Sequence, residues 1–267
     1  MIIEHFFASI DWAVSPDILD FGIIKIRWYG LLFALSFVLG YQIINKIFKH
    51  EGHTQKQLDS LTVYMILGTV IGARLGHCFF YEPSYYLSNP IEILKVWNGG
   101  LASHGAAIGI LTSLYIFAQK NKDISYPWIV DRIVIVVASA GFFIRLGNFF
   151  NSEIIGLPSD LPWAVVFHRI DEIARHPSQM YEAIAYLGIF AVLWAHYSKW
   201  KEKTADYALF SRFLIMIFSA RFLIEFTKEN QTAFENGMFL NMGQLLSIPL
   251  IILGIVLLIK SSGKQKV

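Results

Sequence analysis

Between Ile133 and Phe150 the chain is almost uninterruptedly apolar, yet Arg145 and Asn148 stand inside that run and Asn151, Glu153 and Gly156 follow at its end. A guanidinium, two amides and a carboxylate cost free energy in an apolar medium unless they are paired or used. Two more arginines interrupt apolar runs in the same way: Arg74, and Arg221 with Glu225 four residues on, one helical turn away on the same face. Singly, each arginine reads equally well as a snorkelling or ion-paired structural residue, with Glu225 or Glu153 as a partner. Three cations without a full set of carboxylates call for an anion, and guanidinium forks match phosphate oxygens two at a time. His104, set among the small residues from Gly99 to Ala107, is an imidazole able to take a proton near neutral pH. Tyr29 sits beside Trp28, the setting of an aromatic belt, and adds a hydroxyl to the inventory.

The elements that must position these side chains are membrane helices. With 55% hydrophobic and 16% charged residues among 267 and a mean hydropathy of +0.50, the chain is more apolar than a soluble domain of its size. A net charge of +2, with the basic residues scattered, argues against nucleic acid as a partner. Cys78 is the single cysteine, which excludes an internal disulfide and a cysteine metal cluster; within its apolar run it reads as a packed small hydrophobe. The other histidines, including His5, His168 and His176 with Glu172, show no ligand spacing, so neither a metal nor another cofactor is expected. Glu4, Asp11, Asp17 and Asp20 precede the first lysine or arginine, which is not the start of a cleavable signal peptide. The first span is expected to direct insertion.

A helix needs about 20 apolar residues to cross a bilayer. Seven stretches qualify: Arg27 to Ile47, Leu61 to Tyr81, Leu101 to Ala118, Ile133 to Phe150, Gln179 to Tyr197, Tyr207 to Phe226 and Gly243 to Ile259. The expected fold is therefore all-α, a polytopic membrane protein of seven transmembrane helices forming one integral membrane domain over residues 1–267. After the odd-numbered spans come twelve basic residues, among them Lys46, Arg132, Lys199, Lys264 and Lys266; the opposite segments hold six. Because lysine and arginine are retained on the cytoplasmic side, the N-terminus is expected outside and the C-terminus in the cytoplasm. Arg74, Arg145 and Arg221 then lie roughly 8 to 10 Å from the outer ends of their helices. Tyr29, His104 and His176 to Gln179 fall in the first turns of inward-running spans, at the same depth. An outward-facing polar cavity of this kind suits an enzyme acting on an anionic phospholipid, or a transporter of an anion or lipid headgroup; a structural subunit is a third reading.

A family resemblance chooses among them. In order along the chain stand Ile26-Arg27-Trp28-Tyr29-Gly30, Gly72-Ala73-Arg74-Leu75-Gly76, Gly99-Gly100-Leu101 with His104-Gly105, Arg145 to Phe149 with Asn151, Glu153 and Gly156, His176-Pro177-Ser178-Gln179 with Tyr181-Glu182, and Arg221 to Phe226. Together they resemble the prolipoprotein diacylglyceryl transferases. The resemblance implies a multi-pass protein of the bacterial cytoplasmic (inner) membrane, its site toward the outer leaflet, acting in lipoprotein biosynthesis. Its substrates would be phosphatidylglycerol, a membrane lipid, and prolipoprotein signal peptides with a lipobox cysteine. It implies His104 as the base or its orienter, and Arg145 and Arg221, with Arg74, as cations for the lipid phosphate. Asn148, Asn151 and Tyr29 would bond the headgroup or fix the arginines, Glu153 and Glu225 would orient them, and Gly156 would permit a tight turn. Tyr29, Glu153 and His104 are each candidates for the thiol proton. Where the family pattern has glycines before the arginine, between asparagine and glutamate, and second after the histidine, this chain has Ile144, Ser152 and Ala106.

Overall fold

Seven helices of 17 to 26 residues occupy the seven apolar stretches: α1 (Trp28–Glu51), α2 (Gln55–Phe80), α4 (Ser103–Lys120), α5 (Tyr126–Asn151), α6 (Ser178–Trp200), α7 (Ala208–Ile224) and α8 (Met242–Ser262). A six-residue helix, α3 (Pro83–Ser88), lies between α2 and α4. The structure, a computed structural model, describes residues 9–22, 25–230, 235 and 237–262. Glu4, His5, Lys264 and Lys266 lie outside the described residues. An apolar run folds as helix because each backbone N–H finds its carbonyl within the same segment, and the prolines that would break such runs fall in loops or first turns, Pro249 of α8 excepted. Among the described residues four helices, α1, α2, α5 and α8, are long and apolar enough to cross a membrane. Of the others, α7 is shorter at 17 residues, and α4 and α6 carry polar residues such as His104 and Glu182.

Large apolar side chains point away from protein along these helices: Leu31, Leu35 and Val38 on α1, Ile184, Leu187 and Val192 on α6, Ile252, Val256 and Ile259 on α8. Such a surface is costly in water and neutral in lipid, and the chain is a membrane protein.

The expectation of an all-α chain needs one correction. Among the described residues five short strands occur, three ahead of α1 and two between α5 and α6: β1 (Ile10–Trp12), β2 (Asp17–Asp20), β3 (Lys25–Arg27), β4 (Val165–Phe167) and β5 (Ala174–Arg175). At two to four residues each they are too short to leave a readable alternation in the sequence.

The chain divides into two compact units, residues 1–42 with 134–267, and residues 43–133. Within the second, α2 and α4 are set against each other by a seam of small residues. A methyl group on Gly72 would stand 2.8 Å from the Cα of Gly109, and one on Gly76 would stand 2.6 Å from the Cα of Gly105, so only glycine permits this approach. Cys78 is fully buried here, as expected of a packed small hydrophobe. Arg132, read from sequence as a loop cation, is instead buried: it pairs with Glu51 at 3.0 Å and lies 4.7 Å over the ring of Trp128, whose Nε1 donates to the same carboxylate.

In the first unit, β1 runs parallel to β4, and β4 antiparallel to β5, in a three-stranded sheet. Its apolar side chains close over the Asn151 end of α5. Val165, Phe167 and Phe149 form the core with Trp12, Ile155 and Met180 against it; the Trp12 ring lies 4.3 Å from Phe149, and Trp28 stacks on Phe150 at 4.7 Å. The polar turn that follows α5 is thereby held by aromatic packing on both sides.

Candidate active site

At its end α5 stops in a hydrogen-bonded motif that fixes the polar residues. The N–H of Ser152 donates to the Phe149 carbonyl and that of Glu153 to the Asn148 carbonyl, each at 3.0 Å, the paired closure that caps a helix with one left-handed residue. That residue is Ser152, at φ 55°. The turn brings Glu153 back over the last helical turn, where its carboxylate accepts from Asn148 Nδ2 and Asn151 Nδ2, both at 3.1 Å. Asn148 in turn accepts from Arg145 Nη1 at 3.3 Å. Local spacing therefore assembles Arg145, Asn148, Asn151 and Glu153 into one chain of contacts.

What holds Arg145 from its other side comes from α6. Its Nε lies 2.9 Å from Glu182 Oε2. Glu182 is wholly buried and also receives Lys228 Nζ at 3.0 Å and the Tyr186 hydroxyl at 3.2 Å. Lys228, itself buried, reaches Glu225 as well, again at 3.0 Å. Arg221 acts electrostatically on Tyr186, as Arg145 does. Helical spacing leaves Glu225 to pair with Arg221 or to share its cavity. The Glu225 N–H does bond the Arg221 carbonyl, but its carboxylate pairs with Lys228. Of the cations inferred, Arg145 is taken up by a carboxylate, that of Glu182. Glu225 and Lys228 form the polar wall of a cavity of about 220 Å³ whose other walls include Leu157, Phe226, Met238 and Gln244.

Tyr29 lies at the start of α1 with its ring against α5: a methyl group on Gly147 would stand 2.8 Å from Tyr29 Cδ2. Gly156 was expected to supply turn freedom, but the left-handed residues are Ser152 and Ile154. Gly156 is needed for space: a methyl group there would strike the His176 carbonyl and stand 2.6 Å from His176 Cβ and 2.7 Å from Ser178 Oγ. Its carbonyl accepts from Arg175 Nη1 at 3.2 Å. Arg175 also donates from Nε and Nη2, one edge of its guanidinium, to both carboxylate oxygens of Asp171, which holds the Asp171 carboxyl below its ordinary range.

Arg74 and His104 belong to the other unit. The Arg74 guanidinium donates to the carbonyls of Ile93 (2.9 Å), Gly99 (2.6 Å) and Glu92 (2.6 Å) and lies over Tyr86. It is buried, and its donors serve backbone rather than an anion, so it secures the 92–100 segment ahead of His104. His104 stands exposed in the first turn of α4, its ring edge-on to Phe80 at 5.0 Å and tilted to Tyr81 at 5.8 Å.

Glu182 stood in the family motif without an assigned role, and Tyr186 and Lys228 were not singled out from sequence. A carboxylate inside an apolar span was a usable signal for Glu182; Lys228, just past its span, resembled an ordinary loop cation. A metal-holding group of three or more histidine, cysteine or acidic residues is absent among the described residues.

Comparison with known proteins agrees with this architecture. The family model described as prolipoprotein diacylglyceryl transferase matches residues 16–260. Proteins named phosphatidylglycerol--prolipoprotein diacylglyceryl transferase match over nearly full length in both chains. The one from Chloroherpeton thalassium is 49% identical, covering 94% of this chain and 94% of its own. That from Tolumonas auensis is 47% identical, covering 95% and 98%, and that from Bacteroides fragilis 41% identical, covering 97% and 98%. With its charged turn, its helices and almost all of its length matched, the chain belongs to the prolipoprotein diacylglyceryl transferase family.

Proposed function

We propose that this protein transfers the diacylglyceryl group of phosphatidylglycerol to the lipobox cysteine thiol of a prolipoprotein, the first step of bacterial lipoprotein maturation. The family match from residue 16 to 260 carries this reading. In the reaction the sulfur attacks an sp3 glycerol carbon, a C–S bond forms, the C–O bond to phosphate breaks, and glycerol phosphate leaves with the electron pair. The thiol is a weak nucleophile with a free pKa near 8.5, so its proton must be removed, and the departing phosphate needs cations placed beforehand. His104 is assigned to the thiol proton, and Arg145 and Arg221 to the phosphate. Asn148, Asn151 and Tyr29 would bond the headgroup or steady the arginines, while Glu153 and Glu225 steady the polar frame and Gly156 keeps it closed. Arg74 contributes by holding the backbone before His104. The reading includes seven spans in one membrane domain, the N-terminus outside, and a site opening to the outer leaflet of the inner membrane.

The test is direct. Purified protein in detergent, given phosphatidylglycerol and a lipobox peptide, should make the peptide heavier by one diacylglyceryl group. Folded protein that gives no mass gain, or that moves a lipid headgroup across sealed vesicles without a covalent product, removes the transferase reading.

A further inference from the structure

We infer that Glu182 is the positioning residue for Arg145, setting the guanidinium that the transfer reading assigns to the lipid phosphate. The inference rests on that reading for the reaction and on the following geometry for the residue. An ionised carboxylate with no exposed surface is tolerated only with close counter-charges, and Glu182 has two, one per oxygen. Oε1 accepts from Lys228 Nζ, and Oε2 lies 2.9 Å from Arg145 Nε as an ion pair without hydrogen-bond alignment.

The two contacts have different consequences. Lys228 is also held by Glu225, whose carboxyl rests so closely on Gly243 that a methyl group there would stand 2.6 Å from its Cδ. The ammonium thus keeps a partner whatever Glu182 does. Arg145 is a planar fork whose direction depends on which of its edges are held. Glu182 Oε2 is ion-paired to Nε, Asn148 Oδ1 accepts from Nη1, and Asn148 is itself fixed by Glu153. A carboxylate charge at one edge and an amide acceptor at the other, on two helix segments, bracket the guanidinium. Counting Arg145 and Lys228 against Glu182 and Glu225, the resting cluster is neutral, so Glu182 orients Arg145 without leaving a surplus anion to repel a phosphate.

The experiment is a double-mutant cycle on the peptide-lipidation assay, with kcat and the KM for phosphatidylglycerol measured separately. Glu182→Gln should lower kcat about 100-fold, the scale expected when a charge-stabilising group is displaced by about 1 Å, while KM changes far less. In an Arg145→Lys background the same substitution should change kcat by less than about threefold, since the group it acts through is already altered. Multiplicative losses would overturn the inference, as would near-wild-type kcat in Glu182→Gln itself. Glu182→Asp keeps the buried counter-charge for Arg145 and Lys228 but draws the carboxylate back from both by one methylene. It should keep the detergent melting temperature and still lose kcat; unchanged kcat overturns the inference. Absence of product from the wild-type protein would defeat the transfer reading instead, which separates the two failures.

Discussion

Replacing Ser152 by glycine should stabilise the protein by about 1 kcal/mol, and the structure supplies each contribution. Ser152 is the left-handed residue that closes α5, at φ 55°, with its own N–H and that of Glu153 bonded back to Phe149 and Asn148. A small side chain in that conformation costs about 1 kcal/mol, which glycine avoids. The Ser152 hydroxyl is buried without a hydrogen-bond partner among the described residues, a desolvation cost of about 1 kcal/mol that the substitution also removes. Against this, glycine adds roughly 0.5–1 kcal/mol of unfolded-chain entropy. The net gain corresponds to about 2–4 °C in melting temperature for a chain of this length. Thermal unfolding in detergent, followed by intrinsic tryptophan fluorescence, reads it. Ser152→Val should move the other way by about 1–3 kcal/mol, because a β-branched residue is poorly tolerated at positive φ. A glycine variant that melts below wild type, or a valine variant that melts with it, would refute the account of this turn.

Three further outcomes are expected. Gly156→Ala forces a methyl group onto the His176 backbone; it should cost about 1–3 kcal/mol and abolish peptide lipidation even where folded protein is recovered by size-exclusion chromatography. Gly72→Val wedges α2 from α4, where the nearest atoms are backbone that cannot rotate away, and should lower the detergent melting temperature by a similar energy or more. His168 is held above its ordinary pKa first by Glu172 and then by Asp11, both within 2.9 Å, so its protonated form ties β1 to the turn after β4. A raised folded pKa stabilises fully below the unfolded value of about 6.5 and ceases to as pH rises through the folded value. Melting curves between about pH 6 and 9 should therefore show a small alkaline loss in wild type that is absent from His168→Gln.

The positions of the helices were legible from hydropathy. A segment of about 20 apolar residues must satisfy its own backbone and does so only as a helix, which is why each expected span contains a long helix. The polar frame at Arg145 was legible for a similar reason: residues three to five apart at a helix end meet each other whatever surrounds them, and Arg145, Asn148 and Glu153 do so. The strands were not, since two to four residues carry no readable period.

The identity of each charge's partner lay beyond local spacing. Glu182 and Lys228 stand 46 residues apart, and Glu225, though helical spacing offered it Arg221, pairs with Lys228. Arg74 resembled Arg145 in sequence, an arginine in an apolar run, yet it is bonded to backbone carbonyls while Arg145 is bonded to a carboxylate and an amide. A guanidinium accepts either kind of oxygen, so only the packing of distant segments settled which one each arginine received. Gly156 is a parallel case: the family resemblance implied a glycine that permits a tight turn, and tertiary structure decided that the requirement was room beside His176. Periodicity acts within a segment, whereas charge pairing and close contact act between segments, and it is the second kind of interaction that sets the chemistry of this site.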